Sequence, residues 1–260
     1  MLLKTQLDDL LPEIAAQLKK TDLIIRSYMA GVHFLIQDTA RDPTYVDNHL
    51  LSYLAQDIVQ SSISIVMLAM EALNSVAKRE LRFLIESSIK ICFVQQKSYK
   101  SSVQEKLKKF NRELGSQRVS IKQSLNLQML PEDRRVEFSE ETGRLYGLTS
   151  DYVHLSPLQI RDRITAVEAG RTAGKESPAE IEALNDLISR SLACSLVLLF
   201  HSVPEYVAGD WLVSSDGTTT NWYFMESRFF AAMDSYFDYK AERQPHLEDV
   251  RARRLTRIRF

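Results

Sequence analysis

From residue 47 to residue 97 the chain carries neither glycine nor proline. A sheet needs a turn-former every few residues, so an uninterrupted stretch rich in Leu, Ile, Ala, Glu, Lys and Gln is helical. One helix of that length would exceed the usual globular range, and a division or bend is expected near Asn74 and Ser75. The rest of the chain agrees, with only 8 glycines and 7 prolines in 260 residues. The expectation is an all-α, mainly single-domain bundle of about seven to ten helices. Residues 1–210 would form the bundle. Residues 211–260 would add a loop, an aromatic C-terminal helix and a basic tail packed on the same domain. The central hairpin-like pair would fall at residues 69–97 and 134–154.

Hydrophobic residues make up 45% of the chain and charged residues 26%, a balance typical of globular proteins. The formal charge is -1, so no global field draws the protein toward nucleic acid or anionic lipid, and such binding would need a local patch. Cys92 and Cys194 stand alone, in neither a zinc nor a disulfide pattern. Asp8 and Asp9 interrupt the N-terminus before a signal-like apolar run develops, and a cytoplasmic location is expected. The stretches ISIVMLAMEAL and LACSLVLLF fall short of the roughly 18 residues that span a bilayer, so both read as core helices and no membrane partner is expected.

Leu7, Leu10, Leu11, Ile14 and Leu18 recur at helical spacing, and a second helical segment covers residues 23–37 before the turn at Asp42-Pro43. The lysine-rich KSYKSSVQEKLKKFNREL reads as an exposed basic helix ended by Gly115. Leu130-Pro131 opens a helix that carries the chain to His154, with Pro157 stopping it. EAGRTAGKESPAE is the best candidate for a flexible loop, and Ser177-Pro178 is expected to cap a helix reaching about Phe200. WLVSSDGTTTNWYF is a loop, with a short hairpin at Asp216-Gly217 as the alternative. NWYFMESRFFAAMDSYFDY should dock as one aromatic helix.

Two polar rows interrupt these apolar patterns. Tyr146, Ser150 and His154 lie four residues apart on one helix face, inside and just before the segment TSDYVHLSPL. Arg82, Glu86 and Lys90 repeat the spacing among Phe83, Leu84, Ile85, Ile89 and Ile91. Each row needs partners, and Glu86 and His154 are expected within hydrogen-bond reach of one another. Arg82, Glu86, Tyr146 and His154 form the candidate catalytic set, with Glu86 orienting His154 and Arg82 holding an anion. A structural polar network is the competing account. No cofactor is expected, because neither a Gly-rich nucleotide loop nor its βα context is present. Only Asp151-x-x-His154 has metal-like spacing, and both thiols sit in apolar helical patterns.

The pairing of R-x-x-x-E (Arg82, Glu86) with Y-x-x-x-S-x-x-x-H (Tyr146, Ser150, His154) resembles a set of uncharacterised bacterial all-helical proteins. These are distantly similar to the HEPN helical bundles, some of which are metal-independent ribonucleases of toxin and phage-defence systems. The resemblance implies handling of RNA or a nucleotide in bacterial stress or phage defence. HEPN nucleases use an arginine, roughly four to six residues, then a histidine. Here the one match is Arg26 with His33, a coincidence expected about once by chance in a chain of this composition. In such a reaction an imidazole moves the ribose 2′-hydroxyl proton and an arginine stabilises the phosphorane. The tail RARRLTRIRF adds Arg251, Arg253, Arg254 and Arg257 as candidate nucleic-acid contacts, with residues 97–109 as a competing basic site. The alternative for the tail is pairing with acids such as Glu242 and Glu248. The alternative for the whole protein is a non-catalytic helical module that dimerises or binds protein partners.

Overall fold

Residues 10–154, 156–170 and 177–260 are described by a computed structural model. Among them the chain forms 12 helices, 10 of them seven residues or longer, and no strand. The all-α expectation therefore holds.

The first helix, α1 (Pro12–Thr39), is one continuous rod rather than the two segments expected. No breaker separates its halves, and Thr21 at the junction is absorbed. Its hydroxyl lies within hydrogen-bond distance of the Gln17 carbonyl and of Asn185, so a residue that disfavours helix in isolation is satisfied inside it. A four-residue turn, α2 (Tyr45–Asn48), leads to α3 (Leu50–Met70) and α4 (Asn74–Ser98). The expected division falls at the start of Asn74. Ala72 adopts φ 53 there, and the Leu73 amide returns to the Leu68 carbonyl at 2.7 Å, closing the end of α3 in the manner usually served by glycine.

The lysine-rich stretch departs from expectation. It forms two short helices, α5 (Val103–Lys109) and α6 (Asn111–Gly115), the first held by a Ser102/Glu105 capping box. Lys106 is fully buried and donates to the carbonyls of Asn48 and Tyr99, so it leaves the basic face. Burial pushes its pKa down to about 8.

Then come α7 (Glu132–Ser150) and α8 (Pro157–Glu168), the latter capped by Ser156. Of the expected loop beyond, residues 171–176 lie outside the described residues. Helix α9 (Pro178–Phe200) opens on the expected cap at Ser177, with Glu180 completing a capping box. Every residue from Ser191 to Phe200 is buried, which makes the second half of α9 the axis of the core. Helices α1, α4 and α7 pack around it. Hydroxyls stitch three of these elements together: Tyr28 meets Ser195 at 2.9 Å, and Ser195 meets Ser88 at 2.6 Å. At Gly31 a Cβ would come within 2.8 Å of the Trp222 ring, and the Trp222 indole N–H donates to the Ser27 carbonyl.

After α10 (Glu205–Leu212), the chain makes a loop closed by a single antiparallel bridge between Val213 and Thr219, short of a hairpin. The expected aromatic helix is broken by Ser227, which caps α11 (Arg228–Tyr236) and leaves a 3₁₀ turn on either side. The last helix is α12 (Leu247–Arg257). Phe138 and Phe229 meet edge to face, as do Phe200 and Phe230, so the C-terminal aromatics share the core of the bundle.

Candidate functional site

Most of the two polar rows do meet. Arg82 on α4 donates from Nε to Ser150 Oγ at 2.7 Å, from one terminal nitrogen to Glu86, and from the other to Tyr146. Its guanidinium carbon lies 3.6 Å from the Tyr146 ring centroid. Lys90 donates both to Glu86 and to the Leu114 carbonyl, the latter at 2.7 Å. The Tyr146 hydroxyl donates in turn to the Gln117 carbonyl, and Ser150 to the Tyr146 carbonyl at 2.6 Å. The set therefore ties α4, α7 and the segment after α6 together.

Burial opposes ionisation of Glu86, yet hydrogen bonds from Lys90 and Arg82 outweigh it and hold the carboxyl below its ordinary value. The Tyr146 phenol is raised, chiefly by burial, with the Arg82 charge pulling the other way. With 12% of the Arg82 side chain exposed and all three of its nitrogens committed to protein, little of it is offered to a ligand.

His154 does not join. Helix α7 ends at Ser150 and the chain turns through Asp151, Tyr152 and Val153, so His154 is not in a last helical turn above Tyr146 and Ser150. The imidazole is exposed, and no hydrogen bond joins it to Glu86 among the described residues. The expected Glu86–His154 contact is thus corrected: a helix one turn shorter rotates the residue off the shared face.

Tyr152 and Leu158 of the segment TSDYVHLSPL instead line a cleft of about 470 Å³ between the start of α4, the end of α7, α8 and the first half of α9. Tyr152 donates to Asp162 across it, and the Lys78 ammonium lies 4.0 Å from the Tyr152 ring centroid. Arg190, on the α9 wall, is bound to Glu141 at 2.8 Å and to Asp186 at 3.0 Å. The cleft mixes both signs of charge, and its Arg190 and Asp162 are already engaged by other side chains of the protein.

The basic tail is largely committed to the protein's own acids. Arg254 binds Asp234 and Asp238, Arg251 binds Asp238 and Glu248, and Arg257 binds Asn221. The expected Glu248 pairing is present, whereas Glu242 pairs with Lys240. Arg253 alone of the four candidates is exposed with no such partner among the described residues. The end of the chain is fixed by backbone bonds from Arg228 to Phe260 and from Arg259 to Glu226, each 2.8 Å. Arg26 and His33 both lie on the exposed side of α1, with Arg26 bound to Asp22 at 2.6 Å.

Sequence reasoning missed a buried knot. Arg243 and Asp234 are both fully inaccessible and paired, and Arg243 also reaches the Asp234 carbonyl, Thr219 and Asp238. A lone aspartate inside the apolar run FFAAMDSYF was the available signal. Among the described residues no group of three or more His, Cys, Asp or Glu is placed to hold a metal ion. Both cysteines are free and buried, with burial raising their pKa values, that of Cys194 to about 12. No protein family matches the chain, and neither a curated protein nor a solved structure matches it.

Proposed function

We propose that the protein is a non-catalytic helical interaction module. One observation carries this reading: none of the residues of α8 is buried, although the helix has an apolar face. Ile160, Ile164 and Val167, at steps of four and three residues, are 46%, 50% and 73% exposed. Such a row facing solvent is the usual mark of a surface that another protein covers. The closed Arg82 network supports the same reading, because its donors and acceptors already serve one another. Handling of RNA is the second reading, favoured by the exposed Lys97, Lys100, Lys108 and Arg112 within one stretch of the chain.

Two measurements decide between them. A photo-crosslinking residue at Val167 in cells should give discrete protein adducts that one at Arg112 does not. Incubation of the purified full chain with short RNAs should leave them intact, with no salt-dependent affinity. Cleavage that disappears in Tyr146→Phe or Arg82→Ala variants that remain folded would overturn the module reading in favour of a nuclease.

A further inference from the structure

Helix α12 lines a single recess with three arginines. Val250, Arg253, Arg254 and Arg257 follow one another at steps of three, one and three residues, which puts them on one face of the helix. Val250 is 4% exposed and anchors that face on the body, where Met225 is 2% exposed. These side chains and the loop at Thr218 line a recess of about 80 Å³. Sites that enclose a whole small molecule start at roughly 300 Å³. The recess therefore has room for a few waters or for one small polyatomic ion.

The charges around it do not balance. Asp234, Asp238 and Glu248 pair with Arg243, Arg251 and Arg254, so these three carboxylates are matched by three guanidiniums. Arg257 meets the neutral Asn221 at 2.9 Å, and Arg253 meets no carboxylate among the described residues. Two positive charges are left over. Two nearby acids do not cancel them. Asp216 accepts the Thr218 amide at 2.9 Å and the Thr218 hydroxyl at 2.7 Å, which holds it to its own loop. Asp249, four residues before Arg253, is exposed and forms no ion pair with it among the described residues. The C-terminal end of the helix dipole offsets only about half a charge.

We propose that this recess binds a terminal phosphate group, either free phosphate or the monoester end of a larger molecule, independently of the interaction surface on α8. A guanidinium fork matches two phosphate oxygens at once, and a tetrahedral ion presents oxygens to Arg253 and Arg257 together, where a carboxylate satisfies one fork. A phosphomonoester carries roughly -1.5 to -2 at neutral pH, which answers the two surplus charges. A phosphodiester carries one charge and a substituent on either side, so both size and charge favour a terminal group over a nucleic-acid backbone. Both walls of the recess are anchored on one buried residue, as a site that holds its geometry requires. Arg254 ties α12 to Asp234 at 2.7 Å, and Thr219 ties the loop to the same carboxylate at 3.1 Å.

Isothermal titration calorimetry of the full chain at about pH 8 and fixed ionic strength tests this, with inorganic phosphate, phenyl phosphate and dimethyl phosphate as probes. The expected result is one-to-one binding of phosphate or phenyl phosphate with Kd below about 1 mM, weakened at least about tenfold by Arg253→Gln and by Arg257→Gln. Lys100→Gln, which removes the same charge from an exposed position elsewhere, should leave the affinity unchanged. Arg253 is exposed and has no partner among the described residues, so its variant should melt with the wild type, separating lost binding from lost folding. Tighter binding of phenyl phosphate than of phosphate supports the site and assigns it to an esterified group, and the reverse order supports it as a site for the free ion. Absence of binding by both up to about 10 mM overturns the proposal, as does an affinity that survives either arginine substitution. Dimethyl phosphate bound as tightly as phenyl phosphate overturns it in favour of a backbone contact to nucleic acid.

Discussion

At the residue scale, the Arg82 cluster and His154 part company, and they should do so in measurement. Arg82→Ala leaves Tyr146 and Ser150 without their donor and Glu86 with Lys90 alone in a site where only 22% of the Glu86 side chain is exposed. Urea denaturation should show a loss of about 2–4 kcal/mol. His154→Ala should stay within about 0.5 kcal/mol of wild type, because the ring is exposed and has no hydrogen bond among the described residues. The four-residue spacing of Tyr146, Ser150 and His154 was legible, and it located two of the three correctly. The third failed because spacing marks one face only while the helix lasts. Neither Asp151 nor Tyr152, just past the end at Ser150, is a glycine or proline that would announce it.

At the element scale, two of the three described positions with positive φ, Ala72 and Gly217, show what the residue type costs there. Ala72 closes α3 at φ 53, a conformation that burdens any residue with a Cβ. Ala72→Gly should raise stability by up to about 1 kcal/mol in thermal melts. Gly217 has φ +79, and a Cβ there would overlap the Glu242 carbonyl, beside the segment that carries Arg243. Gly217→Ala should therefore cost more than about 2 kcal/mol, as strain and overlap add. The caps were readable as local chemistry: Ser177 with Glu180 is a signature of adjacent residues. The burial of Lys106 was not, because the carbonyl of Asn48 that receives it arrives from another part of the chain.

At the scale of the whole molecule, acid should open the bundle through two histidines that the candidate site does not include. His49 accepts the Leu51 amide at Nδ1 and meets the Ser202 carbonyl at 3.0 Å through Nε2. His201 meets the Val197 carbonyl at 2.7 Å through Nδ1, and its Nε2 accepts the Met129 amide. Each ring is a neutral imidazole with one donating and one accepting nitrogen. Burial lowers both to about 4, from an ordinary 6.5. The unfolded chain then takes up protons first as pH falls. Stability should be held above pH 6.5 and decline between 6.5 and 4, by up to about 1.4 kcal/mol per pH unit for each histidine. Denaturation midpoints followed from pH 7.5 to 4 check this, and His201→Gln should flatten the profile. Glu86 and Glu141, held below their ordinary values, add their share only at the acid end of that range and below it.

By itself the sequence determined the class of the protein, its helix-starting caps and the division at Asn74, because helix propensity, breakers and caps act over a few residues. It also drew Arg82, Glu86, Tyr146 and Ser150 to attention, since polar residues set among apolar neighbours must find company. Only the tertiary structure decided that this company is complete and that His154 stands outside it. It alone revealed that Arg243 and Asp234 meet in the core and that the tail arginines fold back onto Asp234 and Asp238. Helices α3 and α9 read alike as apolar runs, yet the second half of α9 is wrapped on every side while α3 keeps an open face. That difference lies in which neighbours the chain brings to each helix, which periodicity along one helix does not encode.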